Sequence, residues 1–161
     1  MSYLNTTGSL NNYVTLADTS FTKQSVSTSI VALSDTLITY TPESNAEKVI
    51  YECALQIAWN PDAAGSLMCA RLQYSENSGA SWTTYDGSKI FAGNFSSSTD
   101  YNWHTYLFKF HLNSWSGSRQ LRLAARSYGT NSEFTLGRSF NASGTEGVGA
   151  APLIMAYSVI G

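Results

Sequence analysis

The sequence predicts an all-β protein, an antiparallel β-sandwich of the jelly-roll type with about eight strands and a polar N-terminal arm. Three features carry this. From Val49 to Trp59 every odd position is apolar (Val49, Tyr51, Cys53, Leu55, Ile57, Trp59), while Glu52 and Gln56 mark the other side, which is the period of a strand with one buried face. Similar alternating runs recur along the chain, separated by clusters of Gly, Pro, Asn, Asp and Ser. No helical period of useful length appears anywhere.

A chain of 161 residues suits one domain with a sizeable core, placed at residues 30–161. Residues 1–29 are polar, with scattered apolar positions, and read as an N-terminal arm or a first edge strand. An unsupported arm buries too little to offset its ordering entropy, so Leu4, Leu10, Tyr13 and Leu16 are candidate contacts that order on a neighbouring subunit. Ile30 to Leu33 and Leu37 to Tyr40 follow as short strands around Ser34-Asp35-Thr36, and Thr41 to Asn45 is a turn. Asn60-Pro61-Asp62 and Gly65 end the long strand, and a second strand at Leu67 to Ser75 is expected to return beside it as a hairpin. A turn centred near Ala63 would set Cys69 opposite Ile57 and leave Cys53 about four residues out of register, so two buried free thiols are expected and not a bridge.

Ser75 to Trp82, S-E-N-S-G-A-S-W, matches the Asp-box pattern S-x-D-x-G-x-T-W, with Asn77 at the Asp position and Ser81 at the Thr position. In that family the motif is a hairpin turn whose Asx and hydroxyl side chains bond local backbone. The box repeats in sialidase-like propellers and occurs once here, which disfavours a propeller. Tyr85 to Ser88 turns the chain, Ile90 to Phe95 is a short edge strand, and Ser96 to Asp100 a loop. His104, Tyr106, Phe108, Phe110 and Leu112 alternate with Thr105, Lys109 and His111 in the most aromatic strand. In Arg119 to Tyr128, Leu121, Leu123 and Ala125 alternate with Arg122, Ala124 and Arg126. A short strand at Glu133 to Leu136 and a Gly-containing connection from Ser139 to Ala151 lead to the last strand, Pro152 to Ile160. There Leu153, Met155, Tyr157 and Val159 face one side and Ile154, Ala156 and Ile160 the other, so it belongs at the centre of a sandwich or in a subunit interface. Ile154 and Ile160 are accordingly candidate assembly residues.

Charged residues make up 12 % of the chain and the net charge is -2, so no basic field exists to bind nucleic acid. Met1 to Asn5 has no basic segment before an apolar core, and no apolar run reaches the length of a membrane span, so neither a signal peptide nor a membrane partner is expected. Ten Tyr, seven Phe and four Trp beside abundant Ser, Thr, Asn and Gly suit surfaces that pack on other subunits. Catalysis is not expected. The carboxylates (Asp35, Glu43, Asp62, Glu76, Asp86, Asp100, Glu146) fall mostly in turns, and His104 and His111 lie on opposite faces of one strand. No nucleophile motif, metal spacing or cofactor loop is present. One His is expected to pack and the other to face solvent. Arg119, Arg122 and Arg126 form a basic cluster, read as a solvated sheet face or as a contact for the acidic turn around Glu43 and Glu47. Tyr101, Trp103, Trp115 and Tyr128, at or near strand ends, are candidate surface-binding residues for a sugar ring or a protein contact.

Thr36 to Gln56, T-L-I-T-Y-T-P-E-S-N-A-E-K-V-I-Y-E-C-A-L-Q, resembles a phrase of tailed-bacteriophage virion proteins: an alternating strand, T-P, small polar residues, K-V, then a long inward-facing strand. It looks like the jelly-roll heads of phage fibre and capsid-decoration proteins, which often form trimers. The resemblance implies a non-enzymatic virion surface protein, made in the host cytoplasm, that decorates or cements a capsid. Its implied partners are copies of itself, as a trimer, and the major capsid protein or another virion protein. A receptor-binding tip on a tail fibre or adaptor, or a carbohydrate-binding module with a glycan partner, are the alternatives.

Overall fold

The computed structural model describes residues 24–59, 66–94, 102–128, 134–136, 138–140, 146–148 and 153–160. Among these, the regular elements are all strands: β1 (Gln24–Val26), β2 (Val31–Ala32), β3 (Ile38–Tyr40), β4 (Ala46–Trp59), β5 (Ser66–Ser75), β6 (Thr83–Thr84), β7 (Ile90–Asn94), β8 (Asn102–Asn113), β9 (Arg119–Ser127), β10 (Phe134–Leu136), β11 (Arg138–Phe140), β12 (Glu146–Val148) and β13 (Leu153–Ile160). Every pairing is antiparallel.

Two sheets pack face to face. In sheet A, β8 runs along one edge of β4 while β13 and β10 share the other, and β1 continues outward from β10. In sheet B the central pair is β9 and β5; β2 and β3 share the outer edge of β9, and β7 and β6 share that of β5. β11 and β12 form a separate ladder. The predicted sandwich is thus present, with several of the expected strands divided into shorter segments that share an edge.

The core is the inward side of this alternation. Val49, Tyr51, Cys53, Leu55 and Ile57 of β4 and Phe108, Phe110 and Leu112 of β8 meet Met68, Ala70 and Leu72 of β5 and Leu121, Leu123 and Ala125 of β9. The odd-position face read from Val49 onward is therefore the buried one.

The expected hairpin between residues 48 and 85 is not formed. β4 and β5 lie in different sheets, so their apolar faces meet across the core and no ladder joins them. Period 2 reports which side of a strand is buried but not whether the next strand lies beside it or opposite it. Consequently Cys69 neighbours Phe91 and Arg126, and Cys53 neighbours Phe108 and Ile154. Both thiols are free and buried, as expected, though for a different geometric reason. β13 pairs along β4, on the edge that it shares with β10, and its Ile154 and Ala156 are fully buried. Within the stretch read as a connection, β11 and β12 pair backbone to backbone, a bond that asks for no large side chain. β1 puts residues 24–26 of the stretch read as an arm or first edge strand at the margin of sheet A, with Val26 in the core.

Two turn residues complete sheet B. Between β2 and β3, on the edge of β9, the Leu123 carbonyl accepts from the Leu33 N–H at 2.9 Å, while the Leu123 N–H has no backbone acceptor and donates to Thr36 Oγ1 at 3.1 Å. That hydroxyl donates to the Leu33 carbonyl at 2.7 Å. Between β7 and β6, on the edge of β5, the Leu72 carbonyl likewise accepts from the Tyr85 N–H at 3.0 Å, and the Leu72 N–H donates to Ser88 Oγ at 3.2 Å. Leu72 and Leu123 are opposite each other in the ladder, so one row across the sheet ends in a buried hydroxyl on both sides. Thr36→Val keeps the shape and leaves the Leu123 N–H unpaired, which is expected to cost about 1–3 kcal/mol. Urea unfolding measures it, and an unchanged midpoint would contradict the role given to this hydroxyl.

Candidate functional site

The outer faces of the two sheets are dressed differently. On sheet A, ladder rows set Leu153, Ala54 and Leu107 side by side, then Met155, Glu52 and Lys109, then Tyr157, Ile50 and His111. Leu107 is 64 % exposed, Leu153 42 % and Val159 41 %, so the face presents exposed apolar side chains, whereas Ile50 is buried. Charged groups interrupt it in two rows: Lys48, beside Val159, donates to Asn113 Oδ1 at 2.6 Å, and Glu52 pairs with Lys109. Lys109 Nζ lies 2.6 Å from Glu52 Oε1, and the Tyr157 hydroxyl donates to the same oxygen at 2.9 Å. The Lys109 hydrogen bond holds the Glu52 carboxyl below its ordinary range, the same bond raises Lys109, and burial raises Tyr157.

The outer face of sheet B is cationic. Arg122 and Arg126 lie four residues apart on β9, and Arg71 on β5 stands opposite Ala124, midway between them. Arg122 is held in place: its Nε donates to Gln73 Oε1 at 3.0 Å, and its guanidinium stacks 3.6 Å from the Trp82 ring centroid. Partial burial lowers its affinity for its proton. Lys89 lies over Phe91, itself 51 % exposed, on the same face. Among the described residues no carboxylate lies within 4.0 Å of Arg71, Arg122 or Arg126.

Trp82 is delivered to this face by the turn from Ser75 to Trp82. The Ser81 N–H donates to Asn77 Oδ1 at 2.9 Å, Asn77 Nδ2 donates to Ser81 Oγ at 2.8 Å, and the Gly79 N–H donates to Ser75 Oγ at 2.9 Å. Gly79 has φ +89°, which suits glycine alone, and a Cβ there would stand 3.1 Å from Gln120 Oε1. The side chains are arranged as an Asp-box implies, and β5 and β6 pair on either side.

The basic cluster read from sequence divides. Arg119 points to the other side of β9 from Arg122, where it pairs with Glu76, donates to the Tyr85 hydroxyl at 3.1 Å and stacks on Tyr74 and Trp115. Arg71 replaces it on the outer face. It was missed because it stands alone in sequence and joins the cluster only through the β5–β9 ladder.

The other candidates fall in several places. Ile154 is fully buried in the core, whereas Ile160 is 55 % exposed. Leu4, Leu10, Tyr13, Leu16, Tyr101 and the side chain of Trp103 lie outside the described residues. Trp115 is half-buried, edge-on to Tyr40 with ring centroids 6.3 Å apart, and it lines a cleft of about 510 Å³ with Pro42, Glu43 and Ser44. Tyr128 is 64 % exposed. It follows the end of β9 while Trp115 precedes its start, so the two aromatics belong to opposite ends of the sandwich. His104 and His111 are both exposed, not one packed and one free. His104 is on the inward side of β8, near its start, and is exposed there. Among the described residues no three His, Cys, Asp or Glu side chains converge as a metal site would require.

The class defined by this architecture is an antiparallel β-sandwich with an apolar outer face and a cationic one. No protein-family model matches the chain, and no curated protein matches it significantly.

Proposed function

We propose that this protein is a non-enzymatic structural component of a phage virion, a jelly-roll capsid-decoration protein that assembles as a trimer through the outer face of sheet A. The observation that carries the reading is that face: Leu107, Leu153 and Val159 lie uncovered around an ion pair that is already satisfied. A paired Glu52 and Lys109 can be buried by a neighbour with each charge matched, Lys48 lies at the end of the face beside Asn113, and exposed apolar patches of this kind mark interaction sites. The strand order supports the jelly roll. With each shared edge counted as one position, the chain visits sheets A, B, A, B, B, A, B, A, and the sheets read β1, β10/β13, β4, β8 and β2/β3, β9, β5, β7/β6. Eight strands wound as two Greek keys have this order.

Light scattering of the purified protein is expected to give a trimer, and Leu107→Asp with Val159→Asp is expected to give a folded monomer that no longer binds capsids. A wild-type protein that stays monomeric and fails to bind capsids lacking it would end this reading. A receptor-binding or glycan-binding role is favoured by one observation, the exposed Tyr128 at a loop end of the sandwich. Glycan-array binding lost in Tyr128→Ala, with assembly intact, would move the site there.

A further inference from the structure

We propose that the outer face of sheet B binds an extended acidic segment of a partner protein, with Arg122 as its central contact. Arg122 and Arg126 are four residues apart on one strand, about 13 Å, and Arg71 on the next strand stands halfway along that distance, about 5 Å to the side. Arg122 spends its Nε on Gln73 and one face of its guanidinium on Trp82, so its plane is set. Its two terminal nitrogens are left to meet the two oxygens of a carboxylate.

The spacing selects the partner's conformation. In an extended peptide every second side chain points the same way, with a step of about 7 Å, so acidic residues at alternate positions repeat with the axial period of Arg122, Arg71 and Arg126. The match arises because host and guest share one backbone geometry. The middle row sets Arg71 beside Ala124 and Ala32, and Ala124 is fully buried, so the longer side chains around it form the surface that a partner meets. Lys89 over Phe91 extends the positive potential toward β7. The proposal stands independently of whether the protein belongs to a virion.

Two synthetic peptides of equal composition test it by isothermal titration: one with four Glu alternating with Ser, the other with the four Glu contiguous. The alternating peptide is expected to bind more tightly, with affinity falling as salt rises. Arg122→Gln is expected to weaken it more than tenfold, and Arg71→Gln and Arg126→Gln about fivefold each. The latter two side chains carry no structural bond described above, so they report on binding even if Arg122→Gln unfolds the Trp82 turn. Equal affinity for the two peptides overturns the proposal. So does tighter binding of a sulfated polysaccharide or of single-stranded DNA, or a change in the oligomeric state of the Arg71 and Arg126 variants, which would make a second copy of this chain the occupant.

Discussion

Leu55→Ala is expected to lower the free energy of unfolding by about 2–5 kcal/mol, the range for truncating a buried leucine. Leu55 is 1 % exposed at the middle of β4, the strand that carries β8 on one edge and both β10 and β13 on the other. Its side chain points into the core shared with sheet B. Strands on both edges restrain β4 from moving to close the cavity, which puts the expected loss toward the upper part of the range. Denaturant unfolding followed by tryptophan fluorescence measures it. A loss under 1 kcal/mol would mean that this face of β4 is not the packed one.

Alkaline pH is expected to destabilise the protein through two neighbouring core groups. Burial pushes the Cys53 thiol from its ordinary 9.0 up to about 12, and burial, with Cys53 next to it, raises Tyr51 well above 10.0. Both ionise at lower pH in the unfolded chain than in the folded one. Their contribution is therefore fully present below pH 9 and is lost as pH rises toward 12. At about 1.4 kcal/mol for each pH unit, Cys53 alone accounts for about 4 kcal/mol by pH 12. Stability curves between pH 7 and 11 should fall above pH 9 in the wild type and fall less steeply in Cys53→Ala. Identical slopes in the two proteins would refute the assignment. At pH 8, Ellman's reagent should react with neither Cys53 nor Cys69 until the protein unfolds, because both are buried.

What could be read in the chain was whatever alternation encodes. The inward face of β4, the Leu121, Leu123 and Ala125 face of β9 and the Asp-box turn at Ser75 to Trp82 all follow from local spacing. Which strand lies beside which does not follow from spacing. The partners of β4 are 43 or more residues away, in β8, β10 and β13, and the next strand in sequence, β5, lies across the core. The same gap hid the site. Arg122 and Arg126 were legible as neighbours on one strand, but Arg71 and Trp82 join them through the ladder and the turn. Arg119 leaves the cluster because its odd position turns it to the other side of β9, toward Tyr74, Tyr85 and Trp115. Thr36 and Ser88 read as ordinary turn residues, since nothing local distinguishes a hydroxyl bonding its own turn from one completing a sheet.

Those two hydroxyls bear on how the molecule comes apart. The Leu72 and Leu123 N–H groups are each held at the margin of sheet B by one side chain from a short turn, while the carbonyls of the same residues accept from the Tyr85 and Leu33 N–H groups. A turn of a few residues can lift without unzipping β5 from β9, so these amides should exchange with deuterium through a small local opening, ahead of those of Ala70 and Ala125. Thr36 and Ser88 are then the fasteners of two amide protons in the middle of sheet B, one at each margin.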